Sequence, residues 1–324
     1  MKMSGWGASL AMVMLSASCL AQTASTFPSR PITVVAPFTP GSSTDHEIRI
    51  YQSGLTDYFK QQILIDYKPG ASNMIANTFV SKQKPDGHTL VALVATSTIL
   101  PALKEDLNFD LLKELAPVSL TTKRTFVLVA HPSLPANNLV EFLAYAKANP
   151  GKISWSTAGI GSGLHMSGEW LAASTGAKMV FVHYKGSAAA EVDLLAGRID
   201  VTPKALVSAL PIIKSRKVKV IAIVTSARST LFPDVKTVAE QGLAGYEYPG
   251  WFGIMATGGT PPAILNRLSA GFKMAVTTPA AMKSWEEQGT IPVGSTPEEF
   301  RSALATEMEI WKKLVKDNNI KAED

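Results

Sequence analysis

Short β-branched apolar runs alternate along the chain with stretches whose apolar residues recur at helical spacing. The first run, PITVVAPF at 31–38, is bounded by prolines and a turn cluster, which predicts a buried strand. The following TPGSST supplies a turn, and Ser43 or Thr44 is expected to cap a helix that runs to Phe59. The chain therefore opens with a strand, a polar turn and a helix.

The same order of strand, turn and helix recurs further along the chain. Strands are predicted at 62–66, 89–95, 152–157, 180–184, 199–202 and 218–225, and helices at 74–82, 164–174 and 188–195. The stretch from Pro262 onward is mostly helical, with a capping-box pattern at 295–299. Alternation of this kind predicts an α/β fold whose sheets are parallel and carry helices on both faces.

The repeated units fall into two series. They are separated near 118–125 and again near 245–251, and the 324 residues are about twice the ~150 of a typical domain. We therefore predict two lobes joined by two crossings of the chain. Lobe 1 is expected to comprise 27–124 plus 248–324, and lobe 2 to comprise 125–247.

The first 21 residues have the pattern of a cleaved signal peptide. Lys2 is followed by an apolar, small-residue run at 6–20, and small residues precede a cut after Ala21. The run is shorter than the ~20 residues that a membrane-spanning helix needs. Cys19 is the only cysteine, so cleavage would leave an exported chain without disulfides or cysteine metal ligands.

Composition and charge argue against a disordered chain and against a nucleic-acid-binding protein. Hydrophobic residues make up 46% of the chain and charged residues 18%, which is the profile of a folded protein and not of a disordered one. The net charge is +5, but the basic residues are scattered and form no stripe interleaved with aromatic residues. We therefore expect no nucleic-acid partner, and a general preference for anionic small molecules.

Two loops have the composition of an anion site. PFTPGSSTD at 37–45 and STAGIGSGLH at 156–165 each follow a predicted strand and precede a helix, where unpaired N–H groups attract anions. Each loop taken alone is equally compatible with an ordinary helix cap. The glycine spacing of the second loop is not that of a dinucleotide fingerprint. As a pair, the loops indicate a carboxylate cradle at the carboxyl ends of the strands.

Signatures of catalysis and of metal binding are missing from the sequence. The five histidines form neither HExxH nor another spacing typical of metal ligands, and there is no GxSxG elbow. His165 beside the second loop is open to two interpretations, a structural residue at a helix start or a donor to a ligand. We therefore expect no enzyme activity, no metal and no cofactor.

Long blocks of sequence, in order, resemble a known family. They include PSRPITVVAPFTPGSSTD, STAGIGSGLHMSGE, YKGSAAAEVDLLAGRIDV, VTSARSTLFPDVKTVAEQGL and WFGIMATGGTPPAIL. The chain resembles the Bug/TctC solute receptors of tripartite tricarboxylate transporters over essentially its whole mature length. The resemblance implies a type II periplasmic-binding-protein fold and Venus-flytrap closure on a carboxylate. It also implies a location in the periplasm and delivery of the ligand to membrane permease subunits.

The resemblance also implies which residues bind the ligand. The first loop contributes Phe38, Pro40, Gly41, Ser42 and Thr44, the second Ala158, Gly159, Gly161, Ser162 and His165, and a polar strand end Thr96, Ser97 and Thr98. Where relatives commonly have an acidic residue near the cleft, this chain has Lys204. We hypothesise that Lys204 attracts a second carboxylate, which favours a dicarboxylate, with aromatic ones such as terephthalate among the candidates. The alternative is that Lys204 is simply exposed to solvent.

A transport receptor is not the only function compatible with these features. A ligand-sensing receptor for a signalling partner would use the same cleft, and a secreted α/β hydrolase or lyase is a third possibility. We expect a monomer in each case.

Overall fold

Two β-sheets flanked by helices form the protein. The computed structural model describes residues 27–104, 107–184, 187–225, 227–247 and 250–321, and the predicted signal peptide at 1–21 lies outside them. The type II periplasmic-binding-protein architecture expected from the resemblance is confirmed by solved relatives that share this mixed α/β structure.

The first sheet has six strands in the order β11-β4-β10-β3-β1-β2. Their bounds are β1 Ile32–Ala36, β2 Ile63–Tyr67, β3 Thr89–Val94, β4 Leu115–Arg124, β10 Trp251–Thr257 and β11 Thr290–Pro292. Strand β1 pairs in parallel with β2 and β3, whereas β10 is antiparallel to both of its neighbours, β3 and β4.

The second sheet has five strands in the order β7-β6-β8-β5-β9. Their bounds are β5 Phe126–Ala130, β6 Ile153–Thr157, β7 Met179–His183, β8 Val201–Ala205 and β9 Lys219–Ile223. Here β6 pairs in parallel with β7 and β8, and β5 is antiparallel to β8 and β9. Within each sheet, one antiparallel strand thus lies between two neighbours, β10 in the first sheet and β5 in the second, and the edge strand β11 of the first sheet is also antiparallel to its neighbour β4. The lobe boundaries at 124/125 and 247/248 stay a prediction.

Helices connect the strands and cover the sheets. Their bounds are α1 Ser43–Phe59, α2 Met74–Ser81, α3 Thr96–Leu103, α4 Leu111–Glu114, α5 Leu139–Ala148, α6 Gly163–Thr175, α7 Ser187–Leu195, α8 Leu206–Lys214, α9 Pro262–Val276, α10 Pro279–Glu287 and α11 Pro297–Asn318. The cap of α1 is Ser42, whose hydroxyl accepts from the N–H of Asp45, so the expectation of Ser43 or Thr44 was wrong by one residue. At α11 the expected capping box is present, between Thr296 and Glu299.

The expectation of purely parallel sheets was wrong, because β5, β10 and the short edge strand β11 are antiparallel to their neighbours. Strands β5 and β10 each begin directly after the chain crosses from the other sheet. Arg124 ends β4 at the edge where the parallel strands of the first sheet also end, and Phe126 starts β5 there. A strand that enters at this edge must run away from it, opposite to its neighbours. The regions near 118–125 and 245–251, interpreted from the sequence as crossings of the chain, therefore include most of β4 and the first residue of β10.

Apolar side chains cover both faces of each sheet. In β1, Val34 packs into the cluster under α1 and α9, and Val35 into a second cluster with Phe300 on the opposite face. Burial on both faces explains why the central strands are continuous apolar runs without alternation. A smaller cluster joins α3 and α11 to α6, where Trp311 stacks edge-on against Trp170.

Candidate ligand-binding site

A cavity of about 220 Å³ lies where the carboxyl ends of the first sheet face the second. It is lined by Phe38, Ser43, Thr44, Val94, Ala95, Thr96, Arg124, Phe126, Gly163, Gly250, Trp251 and Phe252. Phe126 and Gly163 belong to elements of the second sheet, and most of the other lining residues to the first. The cavity is therefore shared between the two sheets, at the edge where open α/β sheets bind ligands.

The first loop is tied back onto its own helix. Gly41 has a φ of +80°, a region that glycine enters without strain, and its N–H donates to Oδ2 of Asp45 at 2.8 Å. The Ser42 hydroxyl caps the helix, and the Ser42 N–H donates to the carbonyl of Thr39 at 3.2 Å. These bonds hold the start of α1 in a fixed position.

The second loop repeats this arrangement residue for residue. Gly161 has a φ of +74°, and its N–H donates to Nδ1 of His165 at 3.1 Å. The Ser162 hydroxyl accepts from the N–H of His165, and the Ser162 N–H donates to the carbonyl of Gly159 at 3.2 Å. Asp45 and His165 therefore have the same role, each holding the glycine N–H four residues before it.

Helix N–H groups remain for a ligand once these bonds are made. Those of Ser43, Thr44, Thr96 and Gly163 form no hydrogen bond with any residue that the structure describes. All four residues line the cavity, and they begin α1, α3 and α6. Three helix starts with free donors and a partial positive charge make this cavity suited to an anion.

Asp45 is held as an anion by its surroundings. Burial raises its pKa, but hydrogen bonds from the Tyr67 hydroxyl, the Gly41 N–H and the Arg49 guanidinium outweigh burial and leave the pKa below its usual value. The negative charge of Asp45 is thus stabilised by Arg49 and Tyr67, which contact it directly. It positions Gly41 and does not oppose an anionic ligand in the cavity directly.

Both ring nitrogens of His165 are engaged away from the cavity. Nδ1 accepts from Gly161, and Nε2 lies 3.4 Å from Oε1 of Glu169 on the next turn of α6. The ring packs edge-on against Phe181 and His183. Of the two interpretations left open by the sequence, this geometry favours the structural one.

The remaining predicted residues divide by position. Phe38, Thr44 and Thr96 line the cavity. The other predicted residues of the two loops are not among the lining residues, namely Pro40, Gly41, Ser42, Ala158, Gly159, Gly161 and Ser162. The hydroxyls of two others bond elsewhere. Ser97 accepts from Asn77 at 3.4 Å, and Thr98 donates to Glu307 at 2.5 Å. Their side chains therefore stabilise α3 in place.

Lys204 is buried and paired, not exposed to solvent. Its side chain is only 8% exposed, and its ammonium forms an ion pair with Glu191 of α7. It is absent from the lining of the cavity. A ligand carboxylate at Lys204 would compete with Glu191. The low exposure contradicts the interpretation of Lys204 as a solvent-exposed side chain, whereas its binding of a second carboxylate stays a prediction.

The cation that lines the cavity is Arg124, which sequence reasoning missed. Its guanidinium lies over the ring of Phe252, 4.8 Å from the centroid. Burial lowers the pKa of Arg124, and the nearby carboxyl of Glu47 counteracts this effect. An arginine nevertheless stays charged at neutral pH. Position 124 was interpreted as a crossing, and only its place at the end of β4 could have indicated a site residue.

Glu47 is a buried residue of α1 whose carboxyl contacts Thr122 of β4. Its Oε1 accepts from the Thr122 hydroxyl, while Oε2 has no partner among the described residues. Burial raises the pKa of Glu47 to about 7, against the lowering effects of Thr122, Arg124 and Thr121. At neutral pH this carboxyl is therefore partly protonated, and it neutralises Arg124 only in part.

Fold and cavity together define the class: the structure has the architecture of periplasmic binding proteins, with its cavity between two sheets. The chain belongs to the tripartite tricarboxylate transporter family receptors (TctC), whose model matches residues 48–320. BugT of Bordetella pertussis is 33% identical over 300 residues, which are 92% of each chain.

Two solved structures from Rhodopseudomonas palustris are similar over their whole length. Rpa4515 with adipate is 28% identical, covers 92% of this chain and 100% of its own, and has a TM-score of 0.74. MatC with bound malate is 29% identical, covers 89% and 100%, and has a TM-score of 0.70. At the level of the family, then, the relatives are binding proteins.

The described residues contain neither a membrane-spanning helix nor a cluster of metal ligands. In the part of the chain that the structure describes, no helix combines the length and apolar character needed to cross a membrane. Nor, within those same ranges, do three or more His, Cys, Asp or Glu side chains gather into a group that could hold a metal ion.

Proposed function

We propose that this protein captures a small carboxylate in the cleft between its two lobes and delivers it to the permease of a tripartite tricarboxylate transporter. The observation that carries the proposal is the convergence of free N–H groups from α1, α3 and α6 on one cavity. Anions bind helix starts of this kind through backbone donors and the helix dipole. Because donors come from both sides, a bound carboxylate would hold the two lobes together.

A dicarboxylate is the proposed ligand class. The family relatives Rpa4515 and MatC were solved with adipate and malate, both dicarboxylates. The cavity has aromatic side chains, including Phe38, Phe126 and Trp251, in addition to its polar donors. Such walls suit a ligand with an apolar or aromatic body between two charged ends, and terephthalate is an example.

The proposed working cycle rests on lobe closure. The chain passes between the sheets near Arg124 and again before Trp251, and hinge closure around a ligand needs only a few residues of this kind. Closure would present one combined surface to the permease. The predicted signal peptide would place the mature protein in the periplasm, where that surface is accessible to a transporter.

Calorimetric titration of the mature protein tests the proposal. The panel comprises adipate, malate and terephthalate, with citrate as a tricarboxylate and hexanoate and benzoate as monocarboxylates. We expect saturable 1:1 binding of at least one dicarboxylate, with the acid recovered unchanged. No binding by any acid would contradict carboxylate capture, and turnover of a bound acid would indicate an enzyme instead.

A further inference from the structure

Arg124 occupies an unusual place in the fold. It is the last residue of β4, and two residues later the chain starts the second sheet with Phe126. The same cavity that receives the starts of α1, α3 and α6 is lined by Arg124. One ligand molecule can therefore touch both the helix N–H groups and the guanidinium.

The N–H donors of the Arg124 guanidinium are available to a ligand. Within the described ranges the guanidinium forms no ion pair and no side-chain hydrogen bond, and it lies over the face of Phe252, with the carboxyl of Glu47 nearby. Among the charged groups near it, Glu47 is buried and directs Oε1 to Thr122. A planar guanidinium presents five N–H donors in a fork that matches a carboxylate, so a half-buried one without an anion is suited to bind one.

We propose that Arg124 binds the second carboxylate of a dicarboxylate whose first carboxylate lies on the helix starts. This inference rests on the proposed function and adds to it the residue that distinguishes dicarboxylates from monocarboxylates. Arg124 takes the role that the sequence suggested for Lys204. Lys204 is unsuited to that role because Glu191 already neutralises it outside the cavity.

The walls around Arg124 limit the shape of the ligand body. Phe252 supports the guanidinium from one side, and Trp251 and Phe126 contribute further aromatic surface to the cavity. The indole N–H of Trp251 donates to Glu307 at 2.7 Å, which fixes the ring. Fixed aromatic walls favour a flat, apolar body between the two carboxylates.

The test compares the dissociation constants of matched acids by calorimetric titration. Terephthalate is paired with benzoate, and adipate with hexanoate, so that each pair differs in one carboxylate. The proteins are wild type, Arg124→Gln, Arg124→Lys and the control Lys123→Gln. Lys123 is the adjacent residue of β4 and forms its ion pair with Glu247, outside the cavity lining. Thermal unfolding of every variant checks that the fold is retained.

We expect Arg124→Gln to weaken the better-bound dicarboxylate on the order of 10- to 100-fold, the usual loss for a charge-assisted contact. Its matched monocarboxylate should change by less than about threefold, Arg124→Lys should recover part of the affinity, and Lys123→Gln should bind like wild type. Equal losses for both acids of a pair, or unchanged dicarboxylate affinity, would overturn the inference. A loss seen in Lys204→Gln but not in Arg124→Gln would also overturn it. If wild type bound no acid at all, the proposed function itself would fail.

Discussion

Two chemically different side chains, those of Asp45 and His165, accept the corresponding hydrogen bond in the two loops. Asp45 and His165 each accept the N–H of a glycine four residues earlier, and each donates its own N–H to the serine cap before it. The bonds direct the next N–H groups toward the cavity. A carboxylate and an imidazole thus act as equivalent supports, neither of which lines the cavity.

Removing either support should weaken binding from a distance. Asp45→Ala and His165→Ala each leave a glycine N–H without its acceptor, and we expect a loss of about 1–3 kcal/mol in the free energy of unfolding. Carboxylate affinity should fall as well, because the loop is no longer fixed. Urea unfolding and calorimetric titration measure the two effects. The control is Asp57→Ala, an exposed position on α1. Affinity equal to wild type in both loop variants would contradict this role.

Glu47 makes stability depend on pH. Its pKa is raised from 4.5 to about 7, so between these values the folded protein binds a proton that the unfolded chain releases. The contribution of Glu47 to stability therefore falls as pH rises through this window, by about 3 kcal/mol. The nearby ionisable groups, Arg124 and Tyr51, keep their charge states throughout it.

Glu47→Gln tests this dependence by urea unfolding between pH 5 and pH 8. Because glutamine does not titrate, the variant should gain stability relative to wild type as pH rises. The difference between the two proteins isolates Glu47 from other carboxyls such as Glu240, whose pKa of about 2 acts in a more acidic range. Parallel curves for the two proteins would show that Glu47 is not the group responsible.

The sequence located the loops but not the charged residue that lines the cavity. Gly41 and Ser42 are local turn chemistry, visible in a few consecutive residues. Lys204 is neutralised by Glu191 on a different element, and Arg124 reaches the cavity because β4 ends there. Whether a cation is available depends on tertiary neighbours that spacing along the chain does not specify.

None of the three helices that line the cavity begins with proline. Three helices that do not line it, α9, α10 and α11, begin with Pro262, Pro279 and Pro297, which have no N–H to offer. The three that do line it begin with Ser43, Thr96 and Gly163. The donor at the first helical position is thus present where a ligand can use it.

Ser43→Pro removes one of these donors and little else. Proline is tolerated at the first helical position, and the ψ of 165° at Ser42 is compatible with a following proline. We expect affinity for the bound carboxylate to fall about tenfold while the melting temperature stays near that of wild type. Ser43→Ala keeps the N–H and serves as the matched control. Equal affinity in the two variants, measured by calorimetry, would argue against a role for this donor.

Elements with local signals were predicted, and strand direction was not. The run at β1, the turn after it and the capping box of α11 are encoded in adjacent residues. The buried residues of β10 and β5 look like those of any central strand, and a pattern of burial contains no information about direction. Their antiparallel pairing follows from where the chain enters each sheet, which only the complete topology defines.

At the scale of the whole molecule, α11 joins the cavity walls to the second sheet. Glu307 accepts hydrogen bonds from Thr98 of α3, Trp251 of β10 and Trp311 of its own helix. Trp311 in turn stacks on Trp170 of α6. This network therefore connects α3, β10 and α11 to α6.

Glu307→Gln should weaken that network. A glutamine presents one accepting oxygen, so at least one of the three donors is left facing an amide NH₂ group. We expect a loss of about 1–3 kcal/mol in the free energy of unfolding, measured in urea. Glu309→Gln is the control, because Glu309 is exposed on the same helix. The role of Glu307 would be refuted by equal stabilities of the two variants.

The most direct test of the account is a crystal structure of the protein with the dicarboxylate that binds best in titration. We predict one carboxylate within about 3.2 Å of the N–H groups of Ser43 and Gly163, in contact with both lobes. The other carboxylate should lie on Arg124. A ligand bound elsewhere, such as in the groove between α3 and α11, or one that leaves the helix N–H groups without a partner, would contradict the central claim.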